Sequence, residues 1–136
     1  MHTALRISEA AGLAIHALTI IAREGEQRPV NLARLADVLS ASESHLGKVM
    51  HRLAVSGAVR SKRGPGGGFT LGPKADGLTL LDVYELFDGP LGEENCLLGF
   101  ARCPFGGCVL GDAVAVANDS LRSILGQRTI SALAKR

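Results

Sequence analysis

The sequence predicts a mainly α-helical chain with one small β-hairpin and a long C-terminal helix. Three observations carry this. Apolar residues recur at three- and four-residue intervals in successive stretches, several of them opened by a capping side chain or closed by glycine. Two short strand-like runs flank the turn Gly64-Pro65-Gly66-Gly67-Gly68. A further apolar stripe, over residues 109–125, follows a loop that holds every cysteine of the chain.

Residues 8–24 place Ala11, Ala14, Ile15, Leu18, Ile21 and Ala22 on one helical face, with Gly25 as the stop signal. Asn31 caps a second helix whose stripe is Leu32, Leu35, Ala36 and Leu39. The third helix begins from Ser42, or from Ser40 with Glu43 in a capping-box position, buries Leu46, Val49, Met50 and Leu53, and ends at Gly57. Residues 58–63 and 69–71 read as the two strands of a hairpin. Three helices, the last two joined by a tight serine-rich turn, followed by a hairpin wing, are the parts of a winged helix-turn-helix. That unit is expected over residues 1–75, and residues 76–136 are expected to carry the cysteine loop and a dimerisation helix. Within the second segment Thr79 and Asp82 form the start of a helix burying Leu80, Val83, Leu86 and Phe87, closed by Gly89-Pro90. Beyond the cysteines, Leu110, Ala113, Val114, Ala117, Leu121, Ile124 and Leu125 make a stripe ended by Gly126, long enough to be buried against its copy in a second subunit.

The formal charge of +2 is too small to identify a nucleic-acid partner from composition. Local clustering is more informative. From Lys48 to Lys74 the chain carries Lys48, Arg52, Arg60, Lys62, Arg63 and Lys74 without one Asp or Glu. The apolar run at residues 10–22 is too short to span a bilayer, and Arg23-Glu24 stands where a signal peptide would need small residues. A cytoplasmic protein without a membrane partner is expected, with its thiols kept reduced.

With the buried stripe of the third helix assigned, Ser44, His45, Gly47, Lys48, His51 and Arg52 are left facing outward. Short hydroxyls near a helix start, Ser42 among them, with basic groups further along, suit a recognition helix on double-stranded DNA. Arg60 and Arg63 lead into Gly64, Pro65, Gly66 and Gly67, a loop compact enough to lie on phosphates while Arg63 enters a minor groove. The loop lacks the Gly-Lys-Ser/Thr ending of a nucleotide-binding loop and lies between strands. That argues against a phosphate-transfer enzyme.

Cys96, Cys103 and Cys108 fall within thirteen residues with the spacing Cys-x6-Cys-x4-Cys. Three soft ligands on one short loop suit a bound cluster better than zinc, which favours closely paired cysteines. The absence of a Cys-x-x-Cys pair argues against a thiol oxidoreductase. The helix order, the run Arg63-Gly64-Pro65-Gly66-Gly67-Gly68-Phe69 and the cysteine triplet together resemble the IscR/NsrR/RirA family of bacterial iron-sulfur transcription regulators. The resemblance implies a homodimer with crossed long helices on a palindromic operator. It also implies an iron-sulfur cluster, 2Fe-2S or 4Fe-4S, held by Cys96, Cys103 and Cys108, whose state controls DNA affinity. Positions that supply a fourth ligand in some relatives read Gly12 and Gly111 here, while His16 stands where one branch has a histidine. His16 is therefore the expected fourth ligand, reached across the dimer, with Asp112, Glu93, Glu94 and Glu9 as weaker candidates. The alternative is a regulator of the same fold that senses redox state through its thiols alone.

Overall fold

The computed structural model describes residues 5–92 and 96–135; Glu93 and Glu94 lie outside them. The first helix, α1 (Glu9–Glu24), is capped by Ser8, whose hydroxyl accepts from the Ala11 N–H. Asn31 caps α2 (Leu32–Leu39) in the same way through Arg34 N–H. Of the two serines proposed to start the third helix, Ser42 does so: it caps α3 (Glu43–Ser56) through the His45 N–H, at 3.1 Å. Ser40 instead closes α2 in a left-handed conformation, which removes it from the capping box. Each cap satisfies a backbone donor that the first helical turn leaves unpaired.

The wing consists of β1 (Val59–Lys62) and β2 (Gly68–Leu71), antiparallel, with Val59 opposite Leu71 and Lys62 opposite Gly68. It is pinned near its turn. Val30, in the α1–α2 loop, exchanges both backbone hydrogen bonds with Phe69, at 2.8 and 3.0 Å, so that loop acts as a short third strand. The approach is close enough that a Cβ on Gly68 would lie 2.5 Å from the Val30 carbonyl oxygen.

The next helix, α4 (Leu80–Asp88), opens with a complete Thr79/Asp82 capping box and closes at Gly89. After the cysteine loop comes α5 (Ala113–Gln127), then α6 (Ile130–Ala134), capped by Thr129. Here the expectation of a helix over residues 109–125 needs correction at both ends. Val109 and Leu110 are exposed and lie in a turn closed by the Gly111 N–H on the Cys108 carbonyl, so the helix starts later. Gly126 does not end it: the helix runs on to Gln127. Nor does the chain trail away. Backbone bonds between Leu80 and Arg128 and between Ile130 and Leu78 return it to the start of α4, and Ile130 is fully buried.

One cluster of buried side chains unites Ala14, Leu18 and Ile21 of α1, Leu35 of α2 and Leu46, Met50 and Leu53 of α3 with Val83, Leu125 and Ile130 from the later helices. Each fully buried leucine or isoleucine contributes about 1.5–3 kcal/mol. Ile15, Leu86 and Phe87, expected on the buried stripes of their helices, are half-buried at the margin of the core, while Ala17 and Tyr84 are buried. No helix of the described residues is long and apolar enough to cross a membrane.

Candidate nucleic-acid interface and cysteine loop

The buried stripe of α3 sets which of its side chains point away from the core. Ser42, Ser44, Lys48 and His51 are exposed, and Gly47 leaves open space, its nearest neighbour for an added Cβ being Leu32 at 3.8 Å. His45 differs from the expected outward side chain. It is half-buried, and its Nε2 is sealed from solvent without a hydrogen-bond partner among the described residues. Arg52 also turns aside from that exposed face: its guanidinium donates to the Leu86 carbonyl at 2.6 Å and stacks 4.7 Å from the Phe87 ring centroid. That geometry commits the charge to α4 through a hydrogen bond and a cation–π contact.

Arg60 and Arg63 are exposed on the wing, and so are Gly64, Pro65 and Gly66, with Gly67 half-buried. The Val30–Phe69 bridge brings the α1–α2 loop beside them. A cleft of about 370 Å³ results, lined by Arg28, Pro29, Asn31 and Arg34 on one side and Gly66 and Gly67 on the other. Arg34 is paired with Glu24 at 3.1 Å, a contact that raises its pKa further and keeps it charged. Arg28 is an exposed basic residue beside the wing that local reading of the sequence passes over. Its position depends on a strand-like bridge between residues far apart in the chain.

The cysteine loop lies on the surface. Cys96 and Cys103 are half-buried and Cys108 exposed; none forms a disulfide. The Cys103 thiol donates to the Gly107 carbonyl at 3.2 Å. Around the thiols the loop exposes apolar side chains, Leu97, Leu98 and Phe105 each more than 70% accessible. In kind the donors fit an iron-sulfur cluster, three thiols on one short loop that leave a fourth ligand to come from elsewhere. As the loop stands, no group of three Cys, His, Asp or Glu side chains converges at metal-binding range among the described residues. His16 is therefore not joined to the cysteines within one chain. It is exposed on α1, and its Nδ1–H donates to the Gly12 carbonyl at 2.7 Å, which leaves the Nε2 lone pair pointing outward from the bond. Glu9 and Asp112 are likewise exposed.

Beside this loop runs an apolar groove lined by Tyr84, Leu91, Leu97, Val114, Ala117 and Leu121, and α5 also exposes Val116 and Ile124. Burial, with help from Asp88 and Glu85, raises the Tyr84 pKa, so the phenol stays neutral in the groove wall.

The Rrf2 family, described as iron-dependent transcriptional regulators, matches residues 7–136. The HTH-type transcriptional regulator IscR of Escherichia coli is 32% identical over 108 residues, which is 79% of this chain and 63% of that protein. An Aquifex aeolicus protein named for a helix-turn-helix-type transcriptional regulator is 36% identical over 96 residues, 71% of this chain and 66% of its own. The chain thus spans just under two thirds of the length of these relatives. Among solved structures, CymR (YrzC), the global cysteine regulator of B. subtilis, has a TM-score of 0.79 at 24% identity, covering 96% of this chain and 97% of that one. The T. potens IscR structure has a TM-score of 0.74 at 22% identity, covering 97% and 88%. Both are likenesses of fold. Since the family match runs through the reading head, the wing, the cysteine loop and the long helix alike, the chain belongs to the Rrf2 family of transcriptional regulators.

Proposed function

We propose that this regulator binds a palindromic operator as a homodimer in the cytoplasm and that the state of Cys96, Cys103 and Cys108 sets its affinity. The observation that carries the reading is the combination of an exposed α3 face and glycine-rich wing with all three thiols on one surface loop. Ser42, Ser44, Lys48 and His51 meet the major groove, with His45 turning outward to join them, and Arg63 enters the minor groove. Arg60, the backbone of Gly64, Pro65, Gly66 and Gly67, and Arg28 in the adjoining cleft lie along the phosphates. Arg52 takes no part in direct contact.

Dimerisation covers the α5 groove. A stripe with small residues at Ala113 and Ala117 lets two such helices cross closely, removing Val116 and Ile124 from water. Two recognition helices related by that symmetry reach half-sites one DNA turn, or a multiple of it, apart.

Cys96, Cys103 and Cys108 hold an iron-sulfur cluster, and His16 of the opposite protomer completes the ligand set. Such a group supplies a redox- and nitric-oxide-sensitive crosslink of the loop. His16 suits the role because the Gly12 carbonyl fixes its tautomer, leaving Nε2 as the donor. Anaerobic purification tests this reading. Native protein is expected to be coloured and to contain iron and sulfide, and Cys103→Ala to lose both while keeping its helical circular dichroism. A Cys103→Ala protein with native iron content and operator affinity refutes it.

A second reading, thiol sensing without a cluster, is favoured by one observation: the Cys103 thiol is bonded to its own loop and the donors do not converge. It predicts an iron-free preparation whose DNA affinity changes on thiol oxidation.

A further inference from the structure

The last turn of α4 touches the segment that leads into the cysteine loop, α3 and the cap of α1. On one side it meets the start of the cysteine loop: Glu85 Oε1 accepts from the Leu91 N–H at 3.0 Å. Arg122 of α5 clamps the same stretch, its guanidinium donating to the carbonyls of Leu91 and Gly92 while a second nitrogen holds Asp119 at 3.2 Å. The loop start lies beside the Asn118 side chain of α5, whose Nδ2 would be 2.5 Å from a Cβ on Gly92. On the other side, the Leu86 carbonyl accepts from Arg52 of α3, and Phe87 carries the same guanidinium on its face. Asp88 accepts from the Ser8 N–H, at 2.9 Å, at the start of the helix that carries His16.

We infer that this turn, residues 85–92, is the relay through which the state of the cysteine loop reaches the recognition helix, with Arg122 and Arg52 as the positioning residues at its two ends. The inference rests on the reading that the cysteines control DNA binding, and it deepens that reading. Physical continuity is what the relay requires. Leu91 and Gly92 lead into Cys96, so a change in the loop pulls on carbonyls held by Arg122 and on the N–H held by Glu85. Glu85 and Leu86 are consecutive residues, so a shift of that turn moves the carbonyl on which Arg52 anchors α3. Coupling between distant sites travels through such contiguous hydrogen-bonded and packed elements. The arrangement also accounts for Arg52, a cation on the recognition helix that is turned away from the reading face.

The test is a coupling ratio. A duplex is selected from a random-sequence library by the native full-length protein, and its Kd is measured with the thiols reduced and again after alkylation with N-ethylmaleimide. Native protein is expected to give a ratio of about tenfold, within the usual range of allosteric coupling. Arg52→Met and Arg122→Met are expected to bring the ratio close to one, with helical circular dichroism and dimer mass unchanged. A residue needed only for folding would weaken binding equally in both thiol states and leave the ratio alone. The salt dependence of binding by Arg52→Met is expected to match native, because its guanidinium is not on a phosphate; a slope lower by about one would make Arg52 a direct DNA contact and overturn its role here. Arg122→Met acts from the far end, where Arg122 bonds Leu91, Gly92 and Asp119, so it tests the relay even where Arg52→Met folds poorly. Native ratios in both variants overturn the relay alone. A native protein with a ratio of one overturns the cysteine reading first, and the relay with it.

Discussion

Replacing Gly68 with alanine is expected to uncouple the wing from the α1–α2 loop. The added Cβ would lie 2.5 Å from the Val30 carbonyl oxygen and 2.8 Å from the Asn31 nitrogen, both backbone atoms that cannot swing aside. The residue also sits at φ +148°, outside the range a side chain tolerates easily. Loss of the two Val30–Phe69 hydrogen bonds costs about 1–3 kcal/mol, and the strained backbone adds about 1–2 kcal/mol. At this chain length about 4 °C of Tm accompanies each kcal/mol, so the melting temperature is expected to fall by about 8–20 °C at fixed protein concentration. DNA binding should suffer separately, because Arg28 and the wing tip no longer share one rigid edge. Losing a groove or phosphate contact costs about 1–3 kcal/mol, which raises Kd by about 5- to 150-fold. Thermal melting followed by circular dichroism, paired with a fluorescence-anisotropy titration, reads both. A Gly68→Ala protein that melts with native would refute the pinned-wing account.

Gly47→Ala should move stability and binding in opposite directions. Nothing but Leu32 at 3.8 Å meets the new methyl, so the fold gains about 1 kcal/mol of helix propensity while DNA affinity falls; unchanged affinity would mean that no DNA group approaches there. Lys48→Ala is expected to weaken all duplexes alike and lower the salt slope by about one, whereas Arg63→Ala should cost about 1–3 kcal/mol selectively at its own base step. Binding measured across salt concentrations and duplex variants separates the two, and a uniform loss for Arg63→Ala would reduce it to a phosphate contact. Ala117→Glu, which puts a charge on the α5 stripe, is expected to give a folded monomer by sedimentation; a stable dimer would exclude that face as the interface.

Features that depend on near neighbours in the chain were legible in the sequence. Ser8, Asn31 and Thr79 cap helices because each bonds a backbone N–H three residues on, and Gly57 and Gly89 end helices by local conformation. Other features depend on residues that meet only after folding. Arg52 reads as an outward cation until Leu86, thirty-four positions away, supplies its acceptor. Arg28 reads as a loop residue until the Val30–Phe69 bridge brings it to the wing. The start of α5 is hidden because Val109 and Leu110 continue the apolar period into a turn, and its end because Gly126 keeps helical conformation and the helix runs on to Gln127. With only five residues, α6 is too short to announce itself by periodicity. Spacing likewise marks three thiols on one loop, but their mutual geometry depends on how that loop folds, which contacts such as those of Arg122 and Glu85 decide only after folding.

The central claim is that a cluster on the cysteine loop governs the grip of the reading heads on DNA. It is tested most directly on one oxygen-free preparation of the native chain, assayed for iron and acid-labile sulfide and titrated with the selected duplex before and after removal of iron by a chelator. Our account predicts that iron and sulfide are present in comparable amounts and that their removal shifts Kd by about tenfold. Equal affinities before and after removal, or a preparation that contains no iron, would contradict it.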